Sequence, residues 1–219
     1  MKPIRTFLTP ILLAIALGSC AAPVTREPGN LSLAKNEVKA YADSGKYTAD
    51  LTDATAPAKS WIAQRSRTGS GKLAVVFDID ETTLSNLSHM KETDWGYQPA
   101  VWSAWVAEGT APAIAPAREV YQTAIANKVT VFFITGRRES EKAPTARNLR
   151  AQGMGDYSDI LVRSDASKTP VQEFKTAERK RLTEQGYTII ANLGDQQSDL
   201  TGGYAERTFK LPNPFYFIP

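Results

Sequence analysis

One stretch constrains this chain more than any other: Val75-Val76-Phe77-Asp78-Ile79-Asp80-Glu81-Thr82-Thr83-Leu84. An apolar run of β-branched and aromatic residues stops at two aspartates one residue apart. A run without polar alternation reads as a strand buried on both faces, the kind found inside a parallel sheet. The aspartates then stand at the strand's C-terminal tip, and in open α/β sheets that tip is where ligands bind. Asp and Thr after a strand can also be no more than a helix cap. A cap does not need two aspartates facing one crevice at the end of the most apolar strand.

The rest of the chain repeats the pattern. Val129–Ile134 reads as a second buried strand, ending in Thr135-Gly136-Arg137. Asp159–Val162 is a short strand. Tyr187–Leu193 is another, ending in Gly194-Asp195-Gln196-Gln197-Ser198-Asp199, and a last strand lies near Thr208–Leu211. Helices fall between them. One has Pro116 in its first turn, Val120, Ala124 and Ile125 on its buried face and Asn127 at its end. A second covers roughly Ser140–Gln152. A third starts at Thr169-Pro170, with an N1 proline and capping-box spacing, and runs to about Gln185. Strands alternating with helices predict a parallel sheet with right-handed crossovers, an α/β fold.

Two further helices are predicted ahead of the first strand. Leu31–Asp43 carries Leu31, Ala34, Val38 and Tyr41 on one face, with Gly45 as its stop. Tyr47–Arg65 has a possible bend at Pro57. Both are expected to pack on the core. Residues 85–115 hold Trp95, Tyr97, Trp102 and Trp105 between glycines and prolines, and read as a small insert over the strand tips. Gly69-Ser70-Gly71-Lys72 lacks the full phosphate-loop pattern and precedes a strand, so it is assigned no function.

The N-terminus reads as a targeting segment. Lys2 and Arg5 precede the apolar Ile11–Leu17, too short to span a bilayer, and the segment ends in Leu17-Gly18-Ser19-Cys20. That ending resembles a bacterial lipobox, with Cys20 as the lipidated residue. The rival is cleavage after Ala22, which Pro23 disfavours. The expected division is a signal peptide at 1–19, a lipidated tether at 20–30, helices at 31–72 and a core at 73–219. Ala21 after the cysteine points by resemblance to the outer membrane, on its periplasmic face or the cell surface.

Composition narrows the chemistry. Without Lys2 and Arg5 the 26 basic residues become 24 against 23 acidic ones, a net charge of +1, and no basic stripe suggests a nucleic-acid polymer as partner. There is one histidine, His89, and one cysteine, Cys20. His-rich binuclear metal sites are excluded, and so is a disulfide framework. Catalysis has to run on carboxylates, hydroxyls, Lys, Arg and a hard metal ion.

In a parallel sheet the strand ends bring Asp78, Asp80, Thr135, Asp195 and Asp199 to one edge, with Lys175 on the helix between. Four converging carboxylates repel, and a divalent cation resolves that. Oxygen-only ligation favours Mg²⁺. This ordered set resembles the haloacid dehalogenase (HAD) superfamily, and more narrowly the bacterial class C acid phosphatases with the plant acid phosphatases and vegetative storage proteins. The narrow match rests on Phe77–Thr82 with Leu84-Ser85-Asn86, Phe133–Arg137, Phe174-Lys175 with Arg179, Asn192–Gln196 with Ser198-Asp199-Leu200, and Phe209–Pro214.

The resemblance implies a Rossmann-like core and a Mg²⁺-dependent phosphomonoesterase acting on small phosphorylated metabolites. Asp78 is then the nucleophile and Asp80 the general acid and base. The Asp80 carbonyl with the Asp78 and Asp195 carboxylates would hold Mg²⁺, with Asp199 bound directly or through water. Thr135, Gly136 and Lys175 would contact the phosphate, and backbone N–H groups in the Asp80–Thr82 turn could add donors. The aromatics of the insert read mostly as its own core, with Trp95 or Tyr97 the candidates to stack on a flat leaving group such as a nucleobase. His89 is read as a bystander, and Arg137 as a helix-start or salt-bridge residue. A phosphotransferase using the same intermediate, or a storage-like surface protein on the same fold, are the alternatives. The oligomeric state is left open.

Overall fold

The structure is a computed structural model that describes residues 28–218; the signal segment and Cys20 lie outside the described residues. Five parallel strands form one sheet in the order β3-β2-β1-β4-β5. They are β1 (Lys72–Phe77), β2 (Thr130–Arg138), β3 (Asp159–Arg163), β4 (Tyr187–Gly194) and β5 (Thr208–Lys210). The strand order turns back at β1, so the crevice between the tips of β1 and β4 is the switch point where α/β sheets bind ligands.

Burial on both faces explains the apolar runs. Val75 and Phe77 join a large core with Val131, Phe133 and Leu193, while Ala74 and Val76 face a smaller one with Phe132, Ile134 and Ile189. The large core is covered by α2 (Lys46–Thr68) and α5 (Ala115–Ala126). Helix α7 (Val171–Glu184) covers the smaller core through Leu182 and Phe174. The β1–β4 register skips Ile190, since Ala74 pairs with Ile189 and Val75 with Ala191. The carbonyl of this bulged residue accepts a hydrogen bond of 2.7 Å from the Trp61 indole N–H of α2. The bulge therefore leaves no orphan acceptor there.

Several expectations are revised. Helix α1 (Leu31–Asp43) has the predicted bounds, but only Val38, Tyr41 and Ala42 reach the core; Leu31 is 69% exposed. Its first turns find no apolar surface among the described residues. Helix α2 runs through Pro57 as one element. Strand β2 continues past Ile134 to Arg138, with its register to β3 shifted across Thr135–Arg137. Helix α7 forms no capping box. Pro170 occupies the N-cap position, and its side chain has no acceptor to offer.

The insert contains two helices, α3 (Leu87–Glu92) and α4 (Pro99–Glu108). Helix α6 (Glu139–Ala151) follows β2, and the one-turn α8 (Gln197–Leu200) follows β4. Among the described residues no helix is long and apolar enough to cross a membrane.

Candidate active site

The loop after β1 is wound tightly. The backbone N–H groups of Thr82, Thr83 and Leu84 all donate to the Ile79 carbonyl, and that of Glu81 to Leu84. The Thr83 hydroxyl closes onto the Asp78 carbonyl at 2.5 Å. This winding forces Glu81 to a φ of +54°, which a side chain rarely adopts. Glu81 is fully buried and accepts from the Asn86 backbone (2.5 Å), the Asn86 amide (3.1 Å) and the Tyr216 hydroxyl (3.1 Å). Burial, then the Asp80 charge, push its carboxyl up to about 8, against the Asn86 hydrogen bonds. The N–H groups of Glu81 and Thr82 are consumed in the turn and are not free donors.

Asp78 lies buried between β1 and β4. Its carboxylate pairs with the Lys175 ammonium, which also donates to Asp199 at 2.6 Å. Asp78, Asp195 and Asp199 each bring a carboxylate oxygen within 4.8 Å of the other two. Asp195 is fixed on both oxygens: Thr82 donates to Oδ1 (3.0 Å), and Gln196 (2.7 Å) and Asn213 (2.6 Å) to Oδ2. Asp199 folds back over Gly194 to accept from the Gln196 N–H at 2.8 Å. A Cβ at Gly194 would sit 2.3 Å from the Asp199 Cβ, so only glycine fits. Arg179 and Asn192 grip the Asp199 carbonyl at 2.7 and 2.9 Å.

The electrostatics follow from burial. Desolvation raises Asp78 well above the carboxylate range; Lys175 opposes that, while the Asp199, Asp195 and Asp80 charges add to it. Asp195 is raised by burial and by Asp199, against hydrogen bonds from Asn213 and Gln196. Burial alone would lower Lys175, but Asp199 and Asp78 outweigh it and hold the ammonium above its usual range. Three buried carboxylates against one ammonium leave a deficit of two positive charges. The all-oxygen donor set and that deficit fit a hard divalent cation.

Asp80 takes a different route. Its carboxylate lies outside the cluster and pairs with buried Arg137 at 2.7 Å. Thr135 is fully buried, and its hydroxyl accepts from the Arg137 N–H at 3.1 Å. Gly136 adjoins it at the β2 tip. Trp95 is no open platform: its ring stacks on Phe215 with centroids 5.4 Å apart and joins the core. Tyr97 is 71% exposed and leans on Trp102. His89 packs between Trp102 and Trp105.

Arg137 is a salt-bridge residue, as expected, with Asp80 as its partner. Glu81 and Asn213 lie within the motif stretches but were not singled out as site residues, and Tyr216 was not marked at all. Arg137 directly follows Thr-Gly at a strand tip, a signal that was available. The two tail residues had no periodicity to mark them.

A family model described as HAD superfamily, subfamily IIIB (acid phosphatase), matches residues 21–219. The chain is 33% identical over 186 residues to acid phosphatase 1 of Solanum lycopersicum, covering 83% of this chain and 73% of that protein. It is 33% identical over 187 residues to the stem 28 kDa glycoprotein of Glycine max, covering 82% and 73%. The fold is similar to that of the class C acid phosphatase from Bacillus anthracis, with a TM-score of 0.71 at 22% identity over 85% of this chain and 87% of that one.

Proposed function

The chain belongs to the HAD superfamily, subfamily IIIB acid phosphatases, and from that premise we propose an exported, Mg²⁺-dependent phosphomonoesterase working through an aspartyl-phosphate on Asp78. The observation that supports this reading best is the buried Asp78–Lys175–Asp199 chain at the β1 tip, with Asp195 alongside. Asp78 attacks the phosphorus, and the bond to the ester oxygen breaks. Asp80 gives its proton to that departing oxygen. The resulting carboxylate then takes a proton from the water that attacks the phosphorus, freeing phosphate and restoring Asp78.

Lys175 lies within reach of the phosphoryl oxygens while Asp78 carries them. The Thr135 hydroxyl, and the Ile79 and Asp80 N–H groups, which have no protein partner among the described residues, supply further donors. Asp78, Asp195 and the Asp80 carbonyl would hold Mg²⁺, with Asp199 beside them. When bound, the ion would offset the negative charge of both carboxylates and phosphate.

The substrates are small phosphorylated metabolites, with nucleotides favoured by the exposed Tyr97 at the insert. Lys2, Arg5, the apolar run and Cys20 support export and anchoring, and Ala21 supports an outer-membrane address. Cys20→Ser is expected to abolish incorporation of labelled fatty acid.

The central test is p-nitrophenyl phosphate hydrolysis before and after EDTA. Activity should vanish with EDTA and return with Mg²⁺. Undiminished turnover in Asp78→Asn would sink the nucleophile assignment. Phosphorylated glycerol or nucleoside as the main product with those acceptors present would convert the reading to phosphotransfer.

A further inference from the structure

Asp80 has two oxygens in unequal settings. Oδ1 accepts from Arg137 Nη2 at 2.7 Å, Arg137 Nε at 3.2 Å and the Asn86 amide at 2.9 Å. Oδ2 has one long contact, 3.2 Å from Arg137 Nε. Three donors on one oxygen leave the other as the place for a proton. The Arg137 side chain is 2% exposed and that of Asp80 18%, so Asp80 can meet a substrate while Arg137 stays behind it.

Both donors are themselves held. The third guanidinium nitrogen, Nη1, donates to Thr145 of α6 at 2.8 Å, and the Thr145 hydroxyl donates to the Glu141 carbonyl at 2.7 Å. The guanidinium carbon lies 5.7 Å from the centre of the Trp102 ring in α4. The Asn86 carbonyl oxygen accepts from the Trp105 indole at 2.8 Å. His89 ties these two tryptophans together, stacked on Trp105 at 5.4 Å and edge-on to Trp102 at 5.8 Å. Every contact that aims Asp80 is thus backed by the insert or by α6.

We propose that Arg137 is a positioning residue that pins Asp80 Oδ1, so that Oδ2 delivers the proton, and that the insert fixes this aim through Trp102 and the Trp105–Asn86 hydrogen bond. A planar fork suits this task, because it sets the orientation of a carboxylate as well as its charge. The inference rests on the reading of Asp80 as proton donor.

The test compares kcat/KM for aryl and alkyl phosphate monoesters of rising leaving-group pKa, in Mg²⁺-loaded enzyme. Wild type, Arg137→Lys, Arg137→Ala with and without guanidinium, Asp80→Asn and Trp105→Phe are measured. A misplaced proton donor costs most where the leaving group most needs the proton. Arg137→Ala should lose roughly 10-fold on p-nitrophenyl phosphate and roughly 10²- to 10³-fold on alkyl phosphates, a part of the usual range for acid catalysis. KM should hardly move. Guanidinium should restore part of the loss in Arg137→Ala and none in Asp80→Asn. Arg137→Lys keeps the charge if Arg137→Ala fails to fold, and should show the same skew. Trp105→Phe should show it at several-fold.

A loss equal across all leaving groups, without guanidinium rescue, overturns the positioning role. A flat dependence in Asp80→Asn overturns the proton-donor reading instead.

Discussion

The two aspartates at the β1 tip lie two residues apart and are held in opposite ways. Asp78 meets a lysine, a compact point charge that it shares with Asp199. Asp80 meets an arginine, a planar fork that contacts both of its oxygens. On the Lys175 side, toward β4 and α7, a compact charge that two carboxylates can share is what matters, and a fork has no place. On the Arg137 side, toward α6 and the insert, orientation is what matters. A nucleophile has to be offset in charge yet remain free to form a bond. A proton donor has to point the same way twice, once in each half of the reaction.

Substitutions can break this contrast. The largest effect belongs to Asp78→Asn, for which turnover of p-nitrophenyl phosphate should fall by about 10⁴-fold or more. Thermal melting of the metal-free protein should hold or rise, since a buried charge is removed. Lys175→Arg should come next, losing roughly 10² to 10³ in kcat although the charge is kept, because the fork does not fit a pocket shared by two carboxylates. If Lys175→Arg retained near-normal turnover, the distinction between the two sides would collapse. Gly194→Ala should destabilise the fold by about 1–3 kcal/mol in urea titrations. It should also weaken Mg²⁺ binding in calorimetry, as Asp199 is pushed from its place over residue 194.

The last effect is on pH dependence. Glu81 titrates near 8 when folded against an ordinary 4.5, so between those values the folded state holds the extra proton. Stability should therefore fall as pH rises through that window, by up to about 1.4 kcal/mol per unit, and level off above it. Asp78 and Asp195 are raised and act in the same direction. Saturating Mg²⁺ should remove their share and leave that of Glu81, which Glu81→Gln should abolish. Melting curves across pH, with and without Mg²⁺, separate the two sides. An unchanged slope in Glu81→Gln would show that the buried carboxyl is not the source.

Much of this was legible beforehand. Unbroken apolar runs marked β1, β2 and β4, because burial on both faces leaves no room for polar alternation. Glycine and proline punctuation bracketed α5, α6 and α7. The aspartates and Thr135 were brought to one sheet edge by the strand order, and Lys175, on a helix, was singled out only by the order of the motifs. The failures have physical causes. The face of α1 is periodic, yet its first turns lack a partner among the described residues, and periodicity says nothing about supply of surface. The ion-pair reading of Arg137 stands, but its partner, 57 positions away, lay beyond any local rule. Trp95 was an aromatic without a destination until Phe215 provided one. Asn213 and Tyr216 belong to a tail whose place is set by what it touches.

That tail has a consequence for when the enzyme comes into being. Asp195 is clamped by Asn213, and Glu81 by Tyr216, across 18 and 135 positions of sequence. A ribosome delivers Asp78 long before either clamp. The nascent chain carries Asp78, the proposed nucleophile, early but lacks the residues that surround it in the fold. Completion of the site thus waits for the last residues to be made.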